Sequence, residues 1–156
     1  MAGATVRTFP LLFCLVHAFA IAGEDPALAE TARRLQMPVE VVKQHYQAGC
    51  DSGRPSEQFI CASYGLTVEE MALERVYGTL VSELKDKGSV AKLESAQKAW
   101  SVFRDAACDF EADGYSRGRD LDTVVAGCKA SYTKARSGHL KTFLGCGEQY
   151  GCPGYK

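Results

Sequence analysis

Four carboxylates, Asp105, Asp109, Glu111 and Asp113, crowd the stretch "RDAACDFEAD". A glycosidase needs two carboxyl groups about 5–9.5 Å apart across a cleft, and Asp105 and Asp109, one helical turn apart, could meet that distance. However, Arg104, Arg117 and Arg119 stand close by, and acids late in a helix are ordinarily solvated or paired with such neighbours. Nucleophilic catalysis has less to work with. Beyond the apolar N-terminal run only His45 and His139 remain, and no G-x-S-x-G elbow occurs. The glycine-rich "GCGEQYGCPGY" tail follows a helical stretch instead of opening one, so it does not form a phosphate loop. The reading is a chain that is not an enzyme and that takes no cofactor.

Seven cysteines are the other reactive groups. Cys14 lies inside an apolar leader, which leaves Cys50, Cys61, Cys108, Cys128, Cys146 and Cys152. No C-x-x-C pair is present and histidines are scarce, so zinc is disfavoured and no metal site is expected. Six cysteines allow about 15 connectivities. They fall into three local couples, and 50–61, 108–128 and 146–152 is the economical pairing. A disulfide framework requires an oxidising compartment.

The N-terminus supplies that compartment. Arg7 precedes the apolar run "FPLLFCLVHAFAIA", which closes on the small-x-small pattern Ala20-Ile21-Ala22 before the polar "GEDPALAE". Residues 1–22 read as a signal peptide, because the run is short of the roughly 20 apolar residues of a membrane span. Phe13 stands where a lipobox needs a small residue. The expected mature chain is therefore periplasmic or secreted, with no membrane insertion after cleavage. It would carry 17 Lys and Arg against 19 Asp and Glu, a balance that does not attract nucleic acid.

The elements that must position these residues read as helices. Asp25-Pro26 is a cap followed by a first-turn proline, and "ALAETARRLQM" precedes the break at Pro38 and a second segment "VEVVKQHYQ". This pair has the outline of a DNA-binding helix-turn-helix, with Ala32, Leu35, Val39 and Val42 buried. Export favours two amphipathic helices packed on the main domain instead. "CDSGRPSEQFIC" is expected to be a loop. Thr67 and Glu70 form a capping-box pattern before Leu73, Val76, Tyr77, Leu80 and Leu84, in a helix expected to end near Gly88.

Ser89 then caps a helix whose inner face carries Leu93, Ala96, Trp100, Phe103, Ala107 and Phe110, and Gly114 ends it. Asp120 or Asp122 starts a third long helix through Leu121, Val124, Val125, Cys128, Tyr132, Ala135, Leu140 and Phe143. No strand pattern occurs. The fold class is all-α, a small disulfide-stapled bundle with a long antiparallel helical hairpin. If Cys108 faces Cys128, equal rise per residue sets Leu93 against Phe143, Ala96 against Leu140, Trp100 against Arg136, Arg104 against Tyr132, and Phe110 beside Val125 and Ala126. Trp100 is then expected to be buried between helices.

The run Leu93, Ala96-Gln97, Trp100, Arg104-Asp105, Cys108, then Cys128, Thr133, Arg136 and Leu140 resembles the LprI-like lysozyme-inhibitor family. Its pattern is L-x-x-[small]-Q-x-x-W-x-x-[aromatic]-R-D-x-x-C followed by C-x(4)-T-x-x-R-x-x-x-L. Cys50 and Cys61 look like that family's first cysteine pair, and Leu73 with Tyr77 like its first core helix. Glu74 departs from the asparagine often found there. The resemblance divides the chain into a 1–22 signal, a 23–46 extension, a 47–144 helical domain and a 145–156 tail. It implies an exported binding protein that inhibits lysozyme. The alternative is an envelope or host-interaction module on the same scaffold. Gln97, Trp100, Arg104, Asp105, Thr133 and Arg136 are expected to be structural. Partner contact is expected from the turn Tyr115, Arg117 and Arg119, with Tyr150 and Tyr155 in the tail as rivals.

Overall fold

The computed structural model describes residues 25–115 and 119–144, with the side chain of Arg119 left out. The signal segment 1–22, Arg117, the expected Cys146–Cys152 bridge, Tyr150 and Tyr155 lie outside the described residues. Five helices follow in order: α1 Pro26–Leu35, α2 Val39–Ala48, α3 Pro55–Glu83, α4 Lys87–Ala112 and α5 Arg119–Lys141. There is no strand among the described residues, and the all-α reading stands.

The α1 start is as the sequence indicates. The Asp25 carboxylate accepts the Ala27 N–H at 2.9 Å, with Pro26 in the first turn. Ala32 and Val42 are buried and Leu35 and Val39 pack beside them, around Leu28 and Ile60 of a first core. The α1–α2 pair therefore docks on the N-terminal half of α3.

The expected loop between Cys50 and Cys61 is half helix. Pro55 opens α3, which runs unbroken to Glu83, and Glu57 and Ile60 are buried in it. Thr67 is no cap. It sits in mid-helix, buried, with its hydroxyl donated to the Ser63 carbonyl at 2.9 Å, the back-bonding that a threonine makes when its backbone is already helical. The helix is carried through by burial on both sides of Thr67, which outweighs the local turn signal. At the other end α3 stops at Glu83, earlier than expected, and Asp86 rather than Ser89 caps α4 by accepting the Gly88 and Ser89 N–H groups.

Two short connections make α3, α4 and α5 run up, down and up, so α3 and α5 are parallel. These two pack most extensively, while α4 approaches α5 less and α3 almost not at all. The second core holds Leu73, Val76, Leu80 and Leu140, with Tyr77, Leu93, Trp100, Phe143 and Leu144 around it. On α5 the face turned inward carries Ala126, Thr133, Ser137 and Leu140, all buried. The small side chains at the first three let two backbones approach closely.

Cys50–Cys61 and Cys108–Cys128 are both bridged, each with Cα atoms 5.7 Å apart. The second bridge fixes the expected α4–α5 register, and Leu93 does lie near Phe143 around the second core. Two expectations fail. Phe103 and Phe110 are 58% and 81% exposed, and Trp100 is only partly buried. The physical reason is the wide α4 stand-off: with no close α3 neighbour, only the single strip of α4 facing the seam is covered.

Candidate functional site

What fills the gap beside α4 is a ladder of long polar side chains. Arg104, whose side chain is 12% exposed, donates from Nη1 to Glu70 Oε1 at 3.0 Å and to Thr133 Oγ1 at 3.1 Å. Its Nε donates to Asp105 Oδ1 at 3.0 Å. Thr133 is saturated, since its hydroxyl also donates to the Lys129 carbonyl at 2.7 Å. One guanidinium thus joins α3, α4 and α5. The sequence register set it against Tyr132; it reaches the next residue instead, and Tyr132 meets Phe103 edge-on and donates to Glu111 Oε1 at 3.0 Å.

The ladder continues at both ends. Glu70 also accepts from Arg34 of α1, Arg34 donates to Glu30 at 2.8 Å, and Lys129 stands 3.2 Å from Asp105. Higher up, Arg136 Nε donates to Gln97 Oε1 at 3.0 Å. The Trp100 ring lies between two guanidiniums, with Arg104 at 5.3 Å and Arg136 at 5.9 Å. Each cation over a ring contributes about 0.5–2 kcal/mol according to its desolvation.

Charge states follow from these contacts. Burial opposes ionisation of Asp105, but hydrogen bonds from Arg104 and Lys129 outweigh it and hold the carboxyl below its ordinary range. Hydrogen bonds from Arg33 and then Arg34 pull Glu30 down to about 2. Burial lowers the Arg136 guanidinium. At the start of α1, Asp25 Oδ2 accepts the hydroxyl of Tyr64 from α3 at 2.7 Å, which lowers the acid and, with burial, lifts the phenol to about 12.

A general acid needs a raised, poised carboxyl. Asp105 is the opposite, a carboxylate fixed between two cations, so the glycosidase geometry is not built around it. Gln97, Trp100, Arg104, Asp105, Thr133 and Arg136 are brought together in this ladder. The open cleft beside them, about 280 Å³, is lined by Glu70, Tyr77, Gln97 and Trp100 among others. No group of three or more metal-ligating side chains occurs among the described residues.

Sequence reasoning missed Glu70 and Arg34. Glu70 had been assigned to a capping box, and its role becomes visible only once Arg104 is set level with it across the bundle. Apart from Tyr115, expected in the partner-contact turn, it also missed the outward groups. Val102, Phe103, Phe110 and Tyr115 are all more than half exposed, and a second cleft of about 330 Å³ lies between Asp109, Asp113, Tyr115, Leu121 and Val125. The spacing of Ala99, Val102, Phe103, Ala106 and Phe110 was the available signal, a second apolar stripe on the same helix.

Comparison with known proteins meets this geometry at the same residues. A protein of Rhizobium meliloti (strain 1021), described as uncharacterized, is 30% identical over 100 residues, which are 54% of this chain and 70% of the relative. No solved structure matches the chain. The family described as "Lysozyme inhibitor LprI" matches residues 50–140, the span from the first bridged cysteine through Leu140 of the second core. With both bridges and the Trp100–Arg104 ladder inside that span, the chain belongs to the LprI lysozyme-inhibitor family.

Proposed function

We propose that residues 1–22 direct export and that the remaining chain is a proteinaceous inhibitor of a lysozyme-type muramidase. The observation that carries this reading is family membership across residues 50–140. No described helix is long and apolar enough to cross a membrane, which accords with an exported protein that acts on a protein target.

Inhibition on this reading is steric. The family motif side chains are consumed in internal contacts, so the lysozyme must meet outward groups. The turn after α4 supplies Tyr115, which is 54% exposed, together with Arg117 and Arg119. It is closed by the Cys108–Cys128 bridge, and a loop clamped at its base loses little entropy on inserting into a cleft. Tyr150 and Tyr155 of the tail are the rival contact.

A lysis assay with the oxidised protein in molar excess over animal-type, goose-type and invertebrate-type lysozymes tests the reading. Slower lysis with at least one enzyme is expected. Combined Tyr115→Ala, Arg117→Ala and Arg119→Ala should weaken inhibition without lowering the melting temperature. Unchanged lysis with all three enzymes, and no binding by calorimetry, would leave an envelope or host-interaction module on this scaffold.

A further inference from the structure

Of the five large apolar side chains exposed among the described residues, Val102, Phe103 and Phe110 lie on α4 and Tyr115 just beyond it. A helix turns roughly 100° per residue. Ala99, Val102, Phe103, Ala106 and Phe110 therefore fall within an arc of roughly 100°, and all are exposed. That arc points away from the seam where Trp100, Arg104 and Cys108 hold α4 to the bundle, with Phe103 at its border, more than half exposed while one edge of its ring meets Tyr132 of α5. The largest apolar patch on a soluble monomer is often a contact surface.

The stripe has charge at its ends, and of opposite sign. Lys92 and Lys98 flank its N-terminal half, Asp109 and Asp113 its C-terminal half, and all four are exposed. Among the described residues none of the four stands within salt-bridge distance of an opposite charge in this chain, and Lys92 acts on Asp86 only from further off. We infer that the outer face of α4 is a self-association surface, on which a second copy of this chain packs its own α4 antiparallel about a two-fold axis.

The register follows from the residues. With Phe103 level with Phe103 of the second copy, equal rise per residue puts Lys98 within about 1.5 Å of level with Asp109 across the axis, and Lys92 equally close to Asp113. Phe110 then lies over the small residues Ala96 and Ala99 of the other helix. A two-fold repeats every contact, so each charge is matched twice. Parallel packing would instead set lysine on lysine and aspartate on aspartate. The stripe is self-complementary in one orientation only.

Its size sets the strength. From Lys92 to Asp113 the face is roughly 32 Å long and about 10–12 Å wide, or on the order of 300–400 Å² per copy. A standard interface covers about 800 Å² per partner, so the pair is weak and concentration-dependent. This association is independent of any lysozyme target.

Analytical ultracentrifugation of the oxidised chain over about 1–500 µM, the range in which small interfaces form, is the test. Mass should rise from one chain toward two, and Phe103→Glu should hold it at one chain with an unchanged melting temperature. Lys98→Glu should weaken association about tenfold by setting like charges together twice, and adding Asp109→Lys should restore it. A mass of one chain at every concentration overturns the proposal. So does association that survives Phe103→Glu, or a double charge exchange that fails to restore what Lys98→Glu removed.

Discussion

The two seams that α5 makes are built by opposite means. Against α3 it is close, with Leu140 packed among Leu73, Val76 and Leu80 and with the small Ala126 and Ser137 buried. Against α4 it is spaced, bridged by a disulfide, a threonine hydroxyl and two guanidiniums around one indole. The difference teaches how a small helical protein frees one face of a long helix. Close packing covers a broad arc of a helix, whereas long side chains hold it by a narrow strip and leave the opposite arc to solvent. Trp100, Arg104, Thr133 and Arg136 make up the second kind of seam.

Breaking the close seam should cost most. Leu140 is 1% exposed, so Leu140→Ala is expected to destabilise by about 3–5 kcal/mol, near the top of the range for a buried leucine. Urea unfolding measures it. A cost below about 1 kcal/mol would mean that α3 and α5 are not closely packed.

Removing the covalent part of the spaced seam comes next. Cys108→Ser with Cys128→Ser opens a loop of sequence separation 20, for which chain entropy gives about 3 kcal/mol. Loss of that size with retained helical circular dichroism is expected. Its absence would show that the polar ladder alone holds α4.

The ladder itself is worth less, because its groups are partly wet. Glu70 is 25% exposed at the side chain, and Glu70→Gln keeps its shape while removing the charge between Arg34 and Arg104. About 1–2 kcal/mol is expected. An added Arg104→Met should cost more again, since Arg104 also bonds Thr133 and Asp105 and lies over Trp100, and the sum should fall short of additive only by the shared Glu70 contact.

Acid should act on two members of the ladder, Glu30 and Asp105, and on Asp25 and Glu57 outside it. Asp25, Glu30, Glu57 and Asp105 all have folded values below their ordinary ones. Groups depressed on folding stabilise above their unfolded values and lose that contribution as pH falls through the folded ones. The melting temperature should be level from neutral pH to about 5, then fall between about 4.5, the ordinary value for Glu30, and about 2, its folded value. A melting temperature unchanged through that window would remove all four ionised acids from the stability account.

The smallest effect sharpens the comparison most. Phe110 is a larger side chain than Leu140, yet it is 81% exposed. Phe110→Ser should change stability by less than about 0.5 kcal/mol. A loss of several kcal/mol would place Phe110 in a core and collapse the distinction between the two faces of α4.

Much of this was legible in the residues. The helical class, the α1 cap at Asp25, the burial of Ala32 and Val42, the two described disulfides and the 100-to-136 layer follow from period, cap chemistry and equal rise per residue, all of them local or pairwise rules. The same local rules misplaced the start of α3. Thr67 and Glu70 satisfy the pattern of a helix start, and only burial of Glu57 and Ile60 beneath α1 and α2 made the earlier segment helical.

The tertiary structure alone decided which apolar residues of α4 are core. Leu93 and Phe110 both recur at helical spacing, and a sequence records that they are apolar without recording whether a neighbour stands opposite. Burial is a property of the space between elements, and that space was set by the stand-off of α4 from α3. The sequence by itself determined a stapled helical hairpin with an Arg-Trp-Arg layer. Only the packing decided that Glu70 closes the ladder from α3 and that Val102, Phe103 and Phe110 face outward.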